Sequence, residues 1–290
     1  MRFNLPVLVY QEKNCVHNHA DEIAQMGKNA LIVTGRNSSK KNGSLDDVIN
    51  ALKSKNIKYT VYDGVEENPS VETVMEAREI GVKAGCDFII GIGGGSPMDA
   101  AKAIGVMIYY KNENKDFLYK SVSNSQSLPV IEVPTTCGTG SEVTTVAVLT
   151  VHNEKTKKSM SHRIFPRMAL VDEKYIKNAP LKVICDTAID ALAHIVESCI
   201  NNNATEYSKM FAKEGLEAWS KFKDVLLGNR EATDEDFHNM MYASTLAGMC
   251  IAHAGTSLPH GLSYPITYEL GIPHGKAVGY FLPGYINEAT

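Results

Sequence analysis

The segment Phe88-Ile-Ile-Gly-Ile-Gly-Gly-Gly-Ser-Pro-Met-Asp99 decides the fold of the first half of this 290-residue chain. An apolar run leads into three glycines, after which Ser96 can cap a helix and Pro97 suits its first turn. Glycines let backbone N–H groups approach a phosphate, and a helix amino end adds partial positive charge. Because the spacing Gly91-x-Gly93-x-x-Ser96 only loosely follows the dinucleotide fingerprint, this segment alone leaves open a phosphate loop or a tight structural turn.

Around this segment, short β-branched runs alternate with amphipathic stretches, which predicts a parallel sheet covered by helices on both faces. After about Pro180 a 3.6-residue periodicity replaces the strands. We therefore predict an α/β domain with a parallel sheet at residues 1–178 and an all-helical domain at residues 179–290. The predicted strands are Ala30–Thr34, Lys58–Tyr62, Phe88–Gly91 and Val130–Val133, and the predicted helices span about 44–55, 70–84, 97–109, 181–200, 205–226 and 234–253.

A second polar loop, Pro134-Thr-Thr-Cys-Gly-Thr-Gly-Ser-Glu142, follows the fourth predicted strand. It offers three threonine hydroxyls, a serine hydroxyl and two glycines. Loops beyond the carboxyl ends of parallel strands are where nucleotides bind in open α/β sheets. A hydroxyl-rich surface loop does not explain two such loops on successive strands, so the pair favours cofactor binding.

Four residues of the second half have the composition of a metal site. Asp190 and His194 stand four residues apart on a predicted helix, so both can face one ion, and His260 and His274 each follow a proline. Three imidazoles and one carboxylate suit Fe(II) or Zn(II) better than Mg²⁺ or Ca²⁺. An Asp-x3-His pair by itself is also common as an ordinary helix pair, so the prediction depends on all four residues.

Composition excludes several functional classes. A net charge of -4 and a pI of about 6.1, without a basic stripe, argue against nucleic-acid binding. We find no apolar run of membrane-spanning length and no signal-peptide core. The six cysteines are scattered, with no Cys-x-x-Cys, which is typical of reduced thiols in a cytoplasmic protein.

The motifs together resemble the iron-containing (group III) alcohol dehydrogenases, and most of all the butanol and 1,3-propanediol dehydrogenase branch. They are residues 93–99, 134–142 and 189–194 and the pair His260 and His274. The resemblance implies that residues 1–178 form a Rossmann-like, dinucleotide-binding α/β domain, that residues 179–290 form a helical, metal-binding domain, and that a cleft bears the metal. It also implies reversible conversion of a primary alcohol to its aldehyde with NAD(P)(H), Fe(II) in the cell or Zn(II) as purified, and a homodimer or higher homo-oligomer.

The resemblance assigns roles to individual residues. Asp190, His194, His260 and His274 match the four metal ligands, and no catalytic side chain is implied beyond them. Family members that prefer NAD carry aspartate where this chain has Gly35, so the resemblance implies a preference for NADP(H), with Arg36 close by. The remaining cofactor-binding positions match Asn68, Gly94, Gly95, Ser96, Asp99, Thr135, Thr136, Thr139, Ser141 and, across an alignment gap, Lys158.

The chain departs from the family at two points. Tyr264 stands where some members carry a histidine near the nicotinamide, and family members continue with further helices beyond the fourth ligand. The second departure predicts a truncated helical domain. Two alternatives stay open. One is a glycerol dehydrogenase- or dehydroquinate synthase-like metal enzyme, which shares the architecture but lacks the full four-ligand set. The other is a non-catalytic remnant that binds nucleotide or metal.

Two further sets of residues carry predictions of their own. Glu197 is interpreted either as a residue that orients a metal ligand or as a helix-surface glutamate. The histidines without ligand spacing are expected at the surface, namely His17, His19, His152, His162 and His238.

Overall fold

The computed structural model describes residues 3–289, and over this range the chain divides into two compact units. We call Pro6–Thr135 with Thr145–Tyr175 the sheet unit. The helical unit comprises Thr136–Thr144, the chain from Ile176 onward and the described residues before Pro6. The predicted division after residue 178 lies close to the start of the helical unit at Ile176, but as a domain boundary it stays a prediction.

The four predicted strands and six predicted helices all occur, with bounds within three residues of those expected. The sheet unit contains β1 (Leu8–Gln11), α1 (Cys15–Asn18), α2 (Ala20–Ala24), β2 (Asn29–Gly35), α3 (Ser38–Lys41), α4 (Ser44–Ser54), β3 (Lys58–Val65), α5 (Val71–Ala84), β4 (Phe88–Gly93), α6 (Gly95–Tyr109), β5 (Val130–Pro134), β6 (Val148–Val151), β7 (Thr156–Ser159) and β8 (Met168–Val171). The helical unit contains α7 (Leu181–Ile200), α8 (Glu206–Leu226), α9 (Asp234–Ala254), α10 (Leu258–Leu270) and α11 (His274–Ala289).

Six strands form one parallel sheet in the order β1-β8-β5-β4-β2-β3. Side chains alternate between its faces, so Ile89 packs in one hydrophobic cluster, and Phe88 and Ile90 pack in another. Both clusters are buried, which explains why β4 is apolar along its whole length rather than alternating, and why β5 is buried throughout although it contains Glu132. The predicted fold class, a parallel α/β domain followed by a helical region, is confirmed.

The glycine turn between β4 and α6 depends on the absence of side chains. Gly93 has a φ of +152°, and a Cβ built there would lie 2.5 Å from Cγ of Pro97. A Cβ at Gly91 would lie 2.8 Å from that of Ala101, so glycine at this position lets α6 pack directly on β4. As a result α6 begins at Gly95, two residues before the predicted start at Pro97.

A short antiparallel hairpin, β6–β7, was not predicted from the sequence. Two residues of α6 bind the hairpin and the loop before it. The carboxylate of Asp99 accepts a hydrogen bond from the backbone N–H of Val148 at 2.8 Å, and the fully buried Lys102 donates to the carbonyl of Val146 at 2.5 Å. The helix that follows the glycine turn therefore also positions this hairpin.

In the helical unit, the three helices predicted by 3.6-residue periodicity are confirmed as α7, α8 and α9. Thr205 and Thr233 close capping boxes at the starts of α8 and α9, so these two starts are fixed locally. Within residues 3–289, the structure has no helix that is both long enough and apolar enough to cross a membrane.

Candidate metal centre and cofactor loops

Three helices of the helical unit bring Asp190, His194, His260 and His274 together. Asp190 and His194 lie one turn apart on α7, His260 lies in the first turn of α10, and His274 begins α11. All three histidines direct Nε2 at one atom, Oδ1 of Asp190. The distances are 3.9 Å from His194, 3.4 Å from His260 and 3.7 Å from His274.

The ligand atoms of Asp190, His260 and His274 all lie within 4.8 Å of one another. His194 lies beside this group, with its ring stacked on that of His260 at a centroid distance of 4.4 Å. Asp190 Oδ1 and His260 Nε2 are buried and have no hydrogen-bond partner among the described residues. Buried polar atoms without partners are costly, and a divalent cation among them would satisfy both. The nitrogen-rich donor set therefore fits Fe(II) or Zn(II).

The Nδ1 atom of each histidine faces away from Asp190 and contacts another group. His194 Nδ1 lies 3.3 Å from the carbonyl oxygen of Gly138, and His274 Nδ1 lies 3.5 Å from the hydroxyl of Ser263. His260 Nδ1 is hydrogen bonded to the carboxylate of Glu197. Because Glu197 is fully buried, its interpretation as a surface residue is wrong.

Burial and the neighbouring charges shift the pKa values of these groups in different directions. Burial works to raise the pKa of Asp190, but the three histidines hold it well below its ordinary value. Burial lowers the pKa of His194. Burial opposes protonation of His260 as well, yet the carboxylates of Asp190 and Glu197 raise its pKa to about 9. The cluster therefore contains ionised carboxylate, which favours a cation.

In the sheet unit, Asn68 contacts both the glycine turn and the hairpin. Its backbone N–H donates to the hydroxyl of Ser96 at 3.0 Å, and its carbonyl accepts from the Thr150 hydroxyl at 2.8 Å. Its side-chain oxygen accepts from Nζ of Lys157 at 2.7 Å. The structure thus brings together Asn68 and Ser96, two of the residues assigned to the cofactor.

Lys158 points elsewhere. Its Nζ lies 3.3 Å from the carboxylate of Glu154 and over the ring of Tyr119. Neighbouring residues of a strand face opposite sides, so a one-residue shift in alignment exchanges Lys157 for Lys158. The assignment of Lys158 to the cofactor stays a prediction, while Lys157 is the lysine that contacts Asn68.

The other predicted cofactor positions of the sheet unit lie at strand ends or helix starts. Gly94 is the N-cap of α6 and Gly95 its first residue, whereas the carboxylate of Asp99 is engaged by the backbone of Val148. Gly35 ends β2, and a Cβ built there would meet the carbonyl oxygen of Val65 at 3.4 Å, an ordinary contact.

The second loop leaves the sheet at Thr135, whose N–H donates to the carbonyl of Gly93 at 2.8 Å. From Thr136 to Thr144 the chain belongs to the helical unit. Within that segment the hydroxyl of Thr139 accepts from the N–H of Ser141 at 3.3 Å, and Thr136 is half-buried. The same segment carries the Gly138 carbonyl beside His194, so the second loop contacts the metal-centre helices.

One expectation about the remaining histidines is wrong. His162 is fully buried, with Nε2 donating to the carbonyl of Phe117 at 2.8 Å and Nδ1 lying 2.9 Å from the Ser125 hydroxyl. Its sequence context has no ligand spacing, and only the packing of the loops around it shows that it is a core residue.

Comparison with known proteins agrees with this geometry. Residues 6–173 match the family described as iron-containing alcohol dehydrogenase, and residues 184–289 match the carboxyl-terminal domain of the same family. The crystal structure of an iron-containing alcohol dehydrogenase from Thermotoga maritima superposes on this chain with a TM-score of 0.93 and 40% sequence identity. The match covers 99% of this chain and 78% of the Thermotoga chain.

Two alcohol dehydrogenases with known names are about one-third identical to this chain. The NADPH-dependent butanol dehydrogenase of Clostridium saccharobutylicum is 32% identical over 98% of this chain and 72% of its own length. The long-chain primary alcohol dehydrogenase AdhA of Thermoanaerobacter ethanolicus is 33% identical over 89% of this chain, and the match spans 65% of that enzyme. Since the first family match alone covers more than half of the sequence, the chain belongs to the iron-containing alcohol dehydrogenase family, which implies iron and a nicotinamide cofactor.

Proposed function

We propose that this chain is a metal-dependent oxidoreductase that interconverts a primary alcohol and its aldehyde with NAD(P)(H). The observation that carries the proposal is the cluster of Asp190, His260 and His274, in which two buried ligand atoms have no hydrogen-bond partner among the described residues. Family membership supports the same reaction class. Neither alternative predicted from the sequence is favoured by these findings.

Asp190, His194, His260 and His274 would hold the ion. When bound, a divalent ion draws electron density from an alcohol or carbonyl oxygen and so assists hydride transfer. The protein contributes the surroundings. Asp190, His194 and His260 are buried and exclude water, while the side chain of His274 is 25% exposed. We infer that the substrate approaches on the side of His274, where the ring of Tyr264 lies 6.0 Å from the histidine ring.

We propose the cofactor site from the residues that the glycine turn and its neighbours present. Gly94, Gly95 and Ser96 lie at the start of α6, where backbone N–H groups and the helix amino end favour a pyrophosphate. Asn68 of the same unit is fixed against Ser96. Thr135, Thr136, Thr139 and Ser141 of the second loop stay predicted cofactor positions. A homodimer or higher homo-oligomer stays a prediction.

The test of the proposed function is consumption of NADPH or NADH with butanal by the chain reconstituted with Fe(II). We expect turnover that requires the metal and about one ion per chain. Nucleotide binding without turnover would favour the non-catalytic alternative. Oxidation of glycerol in preference to butanol would favour the glycerol dehydrogenase-like alternative.

For cofactor preference, we propose that the chain favours NADP(H), because Gly35 places no carboxylate at the end of β2 and leaves space for a 2′-phosphate near Arg36. The Gly35→Asp variant should shift the ratio of kcat/KM for NADPH over NADH toward NADH by about tenfold or more, a change of about 1.4 kcal/mol. The contact at 3.4 Å shows that the backbone there can accept a side chain.

The control is Asn50→Asp, which adds the same charge on the exposed side of α4 and should leave the ratio unchanged. A wild-type chain that favours NADH, or a Gly35→Asp variant with an unchanged ratio, would show that selectivity is set by other residues.

A further inference from the structure

The carboxylate of Glu197 makes four hydrogen bonds to Ser257 and His260, at the start of α10. One carboxylate oxygen, Oε1, accepts from the backbone N–H of Ser257 at 2.9 Å, from the Ser257 hydroxyl at 3.1 Å and from the N–H of His260 at 3.3 Å. The other oxygen, Oε2, is hydrogen bonded to His260 Nδ1. Glu197 lies on α7, one turn beyond His194, and its side chain is fully buried.

The bond to His260 determines which ring nitrogen is available. A carboxylate can only accept, so His260 Nδ1 carries the proton that it donates. In the neutral ring Nε2 is then an acceptor, and this is the atom that faces Asp190 at 3.4 Å without a hydrogen-bond partner in the described structure. Glu197 therefore presents the His260 lone pair to the centre.

The bonds to Ser257 and His260 N–H groups determine where α10 begins. Ser257 is the N-cap of α10, but its side chain makes no cap hydrogen bond within the helix. The first N–H groups of a helix need acceptors, and here a side chain from α7 supplies one. The Ser257 hydroxyl also lies 2.9 Å from the hydroxyl of Tyr285 on α11, so the same network reaches all three helices that carry the centre.

The outer partners of the three histidines differ in charge. His194 contacts a carbonyl and His274 a hydroxyl, both at 3.3 Å or more, whereas His260 contacts the carboxylate of Glu197. Hydrogen bonds to charged acceptors are the stronger class, and carboxylates behind metal-bound histidines raise ligand basicity. Of these three contacts, the one with Glu197 belongs to the stronger class.

We propose that Glu197 is the positioning residue of the metal centre, holding His260 toward Asp190 and the start of α10 in place at once. The inference rests on the proposed function only through the metal site. It predicts that loss of the Glu197 charge weakens metal binding more than a comparable loss elsewhere in the helical unit does.

The test measures the dissociation constant and visible spectrum of Co(II) bound to the metal-free full chain, without nucleotide or substrate. Glu197→Gln should raise Kd by about 10- to 100-fold and alter the Co(II) spectrum, the range typical of an outer partner. The matched control is Asp236→Asn, because Asp236 is a buried residue of the same unit whose carboxylate accepts from the N–H and hydroxyl of Thr233, the N-cap of α9, and from Arg230, rather than from a residue of the centre. This control should keep Kd within about threefold even where its melting temperature falls.

A Glu197→Gln variant that keeps the wild-type Kd and Co(II) spectrum would overturn the inference. An Asp236→Asn variant whose Co(II) affinity falls as much as that of Glu197→Gln would overturn it too. If Glu197→Gln does not fold, Glu197→Asp replaces it, since this variant keeps the charge but shortens the reach. It should raise Kd by about tenfold, and an unchanged Kd would overturn the inference too. A wild-type chain that binds no Co(II) overturns it directly, whereas one that binds Co(II) but does not turn over contradicts only the proposed function.

Discussion

Asp190→Asn is expected to abolish tight metal binding and, with it, alcohol dehydrogenase activity. Oδ1 of Asp190 is the atom on which all three histidine Nε2 atoms converge, within 3.9 Å. Asp190 is also the only anionic member of the proposed ligand set, and an amide oxygen supplies no charge to offset a divalent ion. We expect Kd for the metal to rise by more than about 100-fold, above the range for an outer partner such as Glu197.

Metal content after dialysis and the rate of NAD(P)H consumption measure this expected loss. His253→Ala is a suitable control, because His253 is a helix histidine of the same unit that donates to the carbonyl of Met249 at 2.7 Å and stacks on Phe3. It should keep wild-type metal content. Wild-type metal content in Asp190→Asn would remove Asp190 from the ligand set.

The second large effect is expected from Gly275→Ala, which acts through packing. A Cβ built at Gly275 would lie 1.8 Å from the carbonyl oxygen of Asp186 on α7, a backbone atom that cannot rotate away. This clash can be relieved only if α11 moves away from α7. Because His274 immediately precedes Gly275, the same movement would displace a proposed metal ligand. We expect a loss of about 3 kcal/mol or more in the free energy of unfolding, at the upper end for overpacking. Metal affinity should fall in the same variant.

Urea unfolding of the metal-free chain measures the loss of stability, and metal titration measures the effect on the centre. Gly261→Ala on α10 is the matched control, because a Cβ there meets nothing within 4 Å. Alanine is the better helix former, so Gly261→Ala should stabilise by about 0.5–1 kcal/mol. If Gly275→Ala is as stable as this control, α11 does not depend on the close contact with α7.

The positions of most strands and long helices follow from local sequence patterns. Apolar runs with turn residues at their ends placed β2, β4 and β5 within a few residues, and 3.6-residue periodicity placed α7 to α9. The strands β1 and β8 were not predicted, because four residues are too few to distinguish a strand from a loop by periodicity. Their place in the sheet depends on pairing with distant strands.

The sequence by itself determined the α/β class, the glycine turn and the four candidate ligands, because each of these is encoded in local spacing and residue type. Only the tertiary structure decided that Glu197 is buried against His260 and that Lys157, rather than Lys158, contacts Asn68. It likewise decided that His162 is a core residue. These outcomes depend on which helices and loops approach each other, and that is set by packing between distant segments, such as the glycine contact of α11 with α7.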